Sequence, residues 1–150
     1  MNDDPRLKNM PPPPPGYKPA TLFDSFNGTA GPYYFREEGP TPGVGFFAVE
    51  KHRNLGGVVH GGALMTLADI ALWDICRREI GSFMSVTVTF NAEFLNSGEV
   101  GSFIEATGQM TRGGRRLLFI QGMVLCGEQN LMSFSGTLKR LDAPAPPQLG

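Results

Sequence analysis

Asp69 is the first residue to ask about. It is the only acid in the first half of an apolar run, Ala63-Leu-Met-Thr-Leu-Ala-Asp69-Ile-Ala-Leu-Trp73. A carboxylate among Leu67, Ala68, Ile70, Ala71 and Leu72 would be poorly hydrated, which suits it to act as a base or a nucleophile. Directly upstream lies Asn54-Leu-Gly-Gly57-Val-Val-His60-Gly61-Gly62, a polar, glycine-rich stretch. It reads as a loop that opens a helix. The first amides of a helix have no intrahelical acceptor and sit at its positive end. Gly61 and Gly62 carry no side chain to block an approaching oxygen. That end could hold a carbonyl oxygen as it gains negative charge. The chemistry suggested is attack on a polarised carbonyl.

Spacing limits how these parts cooperate. Gly61 and Asp69 are eight positions apart, or ~12 Å along a helix at 1.5 Å per residue. One helix cannot bring both to one carbonyl. If they act together, Asp69 must come from a second subunit whose helix lies antiparallel beside the first. A two-fold homodimer does this and makes two equivalent sites.

The elements that must position these residues follow from patterning. Gly62 to about Ile80 is the helix; Leu64, Leu67, Ala68, Ala71 and Ile75 form its apolar stripe, and Met65, Ile70 and Trp73 fill other sides. Asp74, Arg77, Arg78 and Glu79 are confined to its second half, where Asp74 is expected to face solvent or pair with Arg77 or Arg78. Residues 32–37 and 44–51 read as strands joined by a turn at Gly39-Pro-Thr-Pro-Gly43. Ser85 to Phe94 alternates, with Val86, Val88, Phe90, Ala92 and Phe94 on one face and Thr87, Thr89, Asn91 and Glu93 on the other. Strands from Ser102 to Arg112, Arg115 to Cys126 and Leu131 to Arg140 follow, joined by hairpins at Gly113-Gly114 and Gly127-Glu-Gln-Asn130. The fold class is α+β: one long helix against a mainly antiparallel sheet of about five to six strands.

Residues 1–20, with Pro11 to Pro15 consecutive, read as a flexible extended arm. The domain is expected over 21–140, with Thr21 to Asn27 a short helix or turn contacting through Leu22, Phe23 and Phe26. Residues 141–150, containing Pro144, Pro146 and Pro147, read as a second tail.

Composition narrows the function classes. The 150 residues suit one domain, and with 41% hydrophobic and 18% charged residues that domain is globular. A net charge of −1 argues against nucleic acid as a partner. Cys76 and Cys126 form no Cys-x-x-Cys pair, so a reducing, cytoplasmic setting is expected. No apolar run approaches the ~20 residues needed to span a bilayer, and no membrane partner is expected. There is no Gly-x-Ser-x-Gly elbow, no P-loop and no Cys/His cluster for zinc, so neither metal nor cofactor is expected.

The segment Asn54-x-x-Gly57-x-x-His60-Gly61-Gly62, followed nine residues after the histidine by Asp69, resembles the hotdog-fold acyl-CoA thioesterases of the phenylacetate-pathway (PaaI-like) type. The similarity spans about Val44 to Arg140. It implies a hotdog fold, hydrolysis of an acyl- or aryl-CoA thioester to acid and free CoA, and sites between the subunits of a homodimer or dimer of dimers. By resemblance Asp69 is the nucleophile or general base, Asn54 orients water, and the Gly61 N–H holds the thioester oxygen. His60 then supports the loop or the carbonyl, and Thr87 matches a position where some relatives carry an active-site serine. Each has a plainer alternative: a satisfied buried acid for Asp69, a turn residue for Asn54, a loop bond for His60, and tight helix packing for Gly61 and Gly62. Gly62 and Trp73 are further substrate-binding candidates, although Trp73 also fits a core role. Arg112, Arg115 and Arg116 flank the glycine hairpin, either as a solvated turn or as phosphate contacts for coenzyme A. Two rival readings remain. One is a hotdog enoyl-thioester hydratase or dehydratase, and the other is a non-catalytic acyl-CoA-binding module.

Overall fold

The computed structural model describes residues 5–20 and 25–145. Its centre is the helix α2, Gly61–Ile80, which starts one residue earlier than the patterning predicts. Around it lies one seven-stranded antiparallel sheet in the order β1-β2-β3-β5-β6-β7-β4. The strands are β1 Tyr17–Pro19, β2 Tyr34–Arg36, β3 Val44–Phe47, β4 Ser85–Phe94, β5 Phe103–Gly113, β6 Leu117–Cys126 and β7 Gln129–Arg140. A five-residue helix α1, Phe26–Ala30, precedes β2. Leu22 and Phe23, expected as contacts of this segment, lie outside the described residues, as does 146–150 of the C-terminal tail.

Burial explains the pairing of helix and sheet. Leu67, Leu72 and Ile75 of α2 are fully enclosed against Phe46, Ile104, Leu118, Ile120, Leu131, Met132 and Leu138 of the sheet. The close approach depends on Gly136 of β7: a Cβ there would lie 2.5 Å from Leu72 Cδ1. At the β6–β7 hairpin Gly127 has φ +58°, a left-handed conformation that glycine adopts without strain.

The strand count exceeds the expected five to six because β1 falls in the proline-rich segment read as an arm. Tyr17 pairs with Arg36, and Pro19 with Tyr34. Tyr17 is buried with Tyr34, Phe47, Phe103, Leu7 and Met10 in a second apolar cluster. Strand alternation puts this cluster on the face of the sheet turned away from α2. Tyr17 donates to Glu105, which also pairs with Arg36. Residues 5–19 thus cover part of the sheet's outer face.

β4 is an edge strand, and Val86, Val88, Phe94 and the following Leu95 are exposed on it. Its alternation is not continuous. Thr87 pairs with Leu138 and Thr89 with Thr137, so Val88 is an extra residue. This β-bulge shifts the phase of the strand. Paired residues share a face, so Thr87, opposite the buried Leu138, lies on the helix side, as do Phe90, Ala92 and Phe94 farther on. The expected placement of Thr87 opposite the face of Phe90, Ala92 and Phe94 is therefore corrected.

Candidate active site

The helix start is built by His60. Its carbonyl accepts from Ala63 N–H at 2.9 Å, and its Nδ1 accepts from Gly62 N–H at 2.8 Å. That cap occupies the amide of Gly62, a substrate-binding candidate, and leaves the Gly61 amide, the one expected to hold the thioester oxygen, uncapped. Gly61 N–H has no acceptor among the described residues. The positive end of α2 therefore offers one amide, on a residue where an added Cβ would come within 2.9 Å of Phe94 Cε1.

Asn54 closes the loop before it. Its N–H donates to Val58 O at 2.8 Å, and its Oδ1 accepts from Val58 N–H at 3.2 Å. With the acceptor atom committed to this turn, the Nδ2 amide is the group left to face outward. Asn54 and Gly61 line one cavity of about 390 Å³, together with Val58, Leu64, Phe94, Leu95 and Asn96.

Asp69 lines a different cavity, of about 310 Å³. Its other walls are Asn27, Phe35, Ile70, Trp73, Phe83, Met84, Ser85, Thr87 and Leu138. No residue lines both cavities. Thr87 Oγ1 donates to Asp69 Oδ1 at 2.7 Å, a bond the β4 bulge makes geometrically available. Trp73 donates Nε1–H to Phe83 O at 3.0 Å, so it is both structural and cavity-lining.

Asp69 itself is exposed, contrary to the expectation of a secluded acid. Gly62, Met65, Thr66, Asp69 and Trp73 form a stripe along α2 that the sheet does not bury. Every turn of α2 carries apolar residues, so the pattern alone could not say which side stays open. The enclosed acid is Asp74, fully buried, whose Oδ1 accepts from Arg77 Nη2 at 2.6 Å. Burial pushes its carboxyl above the usual range, and Arg77 opposes this. Pairing with Arg77 agrees with the sequence, whereas solvent exposure does not.

His52, the other histidine, is buried outside both cavities. Its Nδ1 accepts from Val49 N–H at 2.9 Å and its Nε2 lies 2.6 Å from Ala30 O. A neutral ring with hydrogen on Nε2 satisfies both partners.

Arg112, Arg115 and Arg116 are all exposed. Arg115 and Arg116 line a cavity of about 570 Å³ with Lys139, Arg140, Leu141 and Asp142; Arg112 does not. Lys139 and Arg140 escape sequence reasoning because only the β6–β7 pairing brings them to the hairpin arginines.

Comparison with known proteins bears on this arrangement. Residues 56–133 match the family model of the thioesterase superfamily. A candidate esterase of Pseudomonas aeruginosa is 32% identical over 126 residues, covering 82% of this chain and 93% of that protein. Among solved structures, the PaaI protein from the phenylacetic acid degradation operon of E. coli aligns with a TM-score of 0.69 at 20% identity, over 79% of this chain and 86% of that one. A hypothetical thioesterase of Streptococcus pneumoniae, solved with coenzyme A, aligns with a TM-score of 0.64 at 20% identity, over 73% of this chain and 85% of that one. These two structures share the hotdog fold.

Proposed function

The chain belongs to the thioesterase superfamily and is a thioester hydrolase; from that premise we propose that it cleaves acyl- or aryl-CoA thioesters at sites shared by two protomers. The observation that carries the reading is the separation of the machinery into two cavities, one holding Asp69 and Thr87 and the other holding Asn54 and Gly61. Each is half of a carbonyl-attack site. An antiparallel partner helix laid along the open stripe at Gly62, Met65, Asp69 and Trp73 would join them, and would also remove Asp69 from water. A structure of the same fold solved with coenzyme A supports the choice of thiol carrier.

In the reaction, Asp69 of one protomer acts as base or nucleophile on the thioester of an acyl-CoA. When it acts as base, it takes a proton from a water that Asn54 Nδ2 orients. The water oxygen bonds to the carbonyl carbon, and the carbonyl oxygen, now negative, is held by Gly61 N–H of the other protomer. Collapse breaks the C–S bond, the sulfur leaves with the electron pair, and the proton returns from Asp69 to give free CoA. Thr87 fixes the Asp69 rotamer. The apolar walls from Trp73, Phe83 and Ile70 suit an aromatic or medium aliphatic acyl group.

The test is thiol release over a panel of CoA esters, with Asp69→Asn measured beside the wild type. The reading expects release by the wild type and a loss of at least about a hundredfold in the variant. Full activity in Asp69→Asn would remove the mechanism.

A further inference from the structure

We propose that Arg77, held by the buried Asp74, is a positioning residue that fixes the indole of Trp73 as a wall of the Asp69 cavity. The proposal rests on the acyl-CoA reading above and adds what holds the wall against which the acyl group packs.

Helix spacing brings the three side chains together. Trp73 and Arg77 are four residues apart on α2 and so lie on one side of it, and Asp74 is three residues before Arg77. Arg77 donates to Asp74 Oδ1 from Nε at 3.1 Å and from Nη2 at 2.6 Å. Two charge-assisted bonds to one oxygen fix the plane of the guanidinium. Its Cζ sits over the Trp73 ring, 5.5 Å from the centroid, within reach of a cation–π attraction. The indole N–H is tied separately, to Phe83 O at 3.0 Å. Trp73 is thus held at its N–H by the segment after α2 and across its ring by Arg77.

The burial of the acid points to a role beyond joining two turns of helix. Asp74 is fully buried, and its Oδ2 has no partner among the described residues. Withdrawing a carboxylate from water is costly, and a pair that leaves one oxygen unsatisfied offsets that cost poorly. Stability alone gives little reason for an acid here. What the acid supplies is a direction for Arg77, a long side chain that is still 25% exposed and would otherwise sample many rotamers.

Neither Asp74 nor Arg77 lines the Asp69 cavity, whereas Trp73 and Phe83 both do. The pair therefore acts on the cavity through the indole. Trp73 lies four residues beyond Asp69, ~6 Å along the helix at 1.5 Å per residue. An aromatic ring carried on the thioester carbonyl spans that distance; a methyl group does not.

The experiment uses the fact that Trp73 is the sole tryptophan of the chain, so tryptophan fluorescence reports this site alone. Wild type, Trp73→Ala, Asp74→Asn combined with Arg77→Gln, the triple variant, and the control Glu79→Gln, exposed on the same last turn, are compared. All are measured where sedimentation shows the same assembly. Replacing acid and base together leaves no unpaired buried charge, so the paired variant should fold. In it, acrylamide should quench Trp73 more efficiently than in the wild type. Its KM for benzoyl-CoA should rise by about two- to fivefold with kcat little changed, while its kinetics on acetyl-CoA stay as in the wild type. Trp73→Ala should raise KM for benzoyl-CoA at least as far. The triple variant should show no further rise, because the ring through which the pair acts is gone. Glu79→Gln should match the wild type in every readout.

Unaltered quenching in the paired variant, an equal KM rise for acetyl- and benzoyl-CoA, a further rise in the triple variant, or the same changes in Glu79→Gln would each overturn the proposal. Quenching needs no turnover, which keeps the two readings apart. The expected quenching change without hydrolysis of any ester supports the brace and removes the acyl-CoA reading. Hydrolysis by the wild type with unaltered quenching in the paired variant removes the brace alone.

Discussion

Thr87 Oγ1 donates to Asp69 Oδ1 at 2.7 Å, tying the acid on α2 to the bulged start of the edge strand β4. The bond leaves Asp69 Oδ2 as the oxygen able to take a proton or attack. In the proposed reaction Thr87 is a positioning residue. Thr87→Val keeps the shape and removes the donor, and it should lower kcat by about tenfold with little change in KM. Thr87→Ser should restore kcat. Steady-state kinetics on the preferred ester checks this; equal kcat in Thr87→Val and wild type would remove the role.

Gly61 sits under Phe94, where an added Cβ would lie 2.9 Å from the ring. Phe94 is 55% exposed and can swing away, so Gly61→Ala should fold. The displaced ring would intrude on the cavity shared with Asn54, and activity should fall by about tenfold or more. Gly61→Ala combined with Phe94→Leu should recover most of that loss, as assayed by thiol release. No recovery would mean that the methyl acts on the amide itself rather than through the ring.

How much of this was legible in the sequence differs by residue. The loop from Asn54 to Gly62 and the helix after it were readable because the glycines mark the loop and the apolar run after them marks the helix, whereas the cap that His60 supplies is visible only in the structure. The phase of β4 was not, since Thr-Val-Thr alternation looks the same with or without the extra residue at Val88. β1 was hidden because five successive prolines read as an arm, although Tyr17 beyond them pairs with β2 and its ring is buried. The exposure of Asp69 and the burial of Asp74 were unreadable because α2 is apolar on nearly every side. Lys139 and Arg140 lie over twenty residues from the hairpin arginines, and only the strand register joins them.

His52 should make stability pH-dependent. Burial, the largest cause, holds its imidazole below the usual 6.5. As pH falls, the unfolded chain binds the proton first, so stability is full above about 6.5 and is lost as pH drops through the folded value. Thermal melting at pH 7.5 and pH 5 should show a drop in the wild type. The drop should be smaller in His52→Gln, whose amide can still donate to Ala30 O. An identical drop in both would place the effect elsewhere.

Gly136 sets the distance between α2 and β7. Gly136→Ala drives a methyl into Leu72 and should cost about 1–3 kcal/mol of stability. Leu72→Ala in the same chain should offset part of the clash, so denaturant titration should find the double variant less destabilised than the two single losses combined. Strict additivity would contradict the contact.

Central to the account is that each site takes its acid from one protomer and its oxyanion amide from another. Mixing two inactive variants, Asp69→Asn and Gly61→Val, under conditions of subunit exchange tests this most directly. In a mixed dimer one site would carry both lesions and the other none, so thiol release should rise from near zero to about a quarter of wild type at equal amounts. Activity that stays at the sum of the two parents after exchange would contradict the shared site.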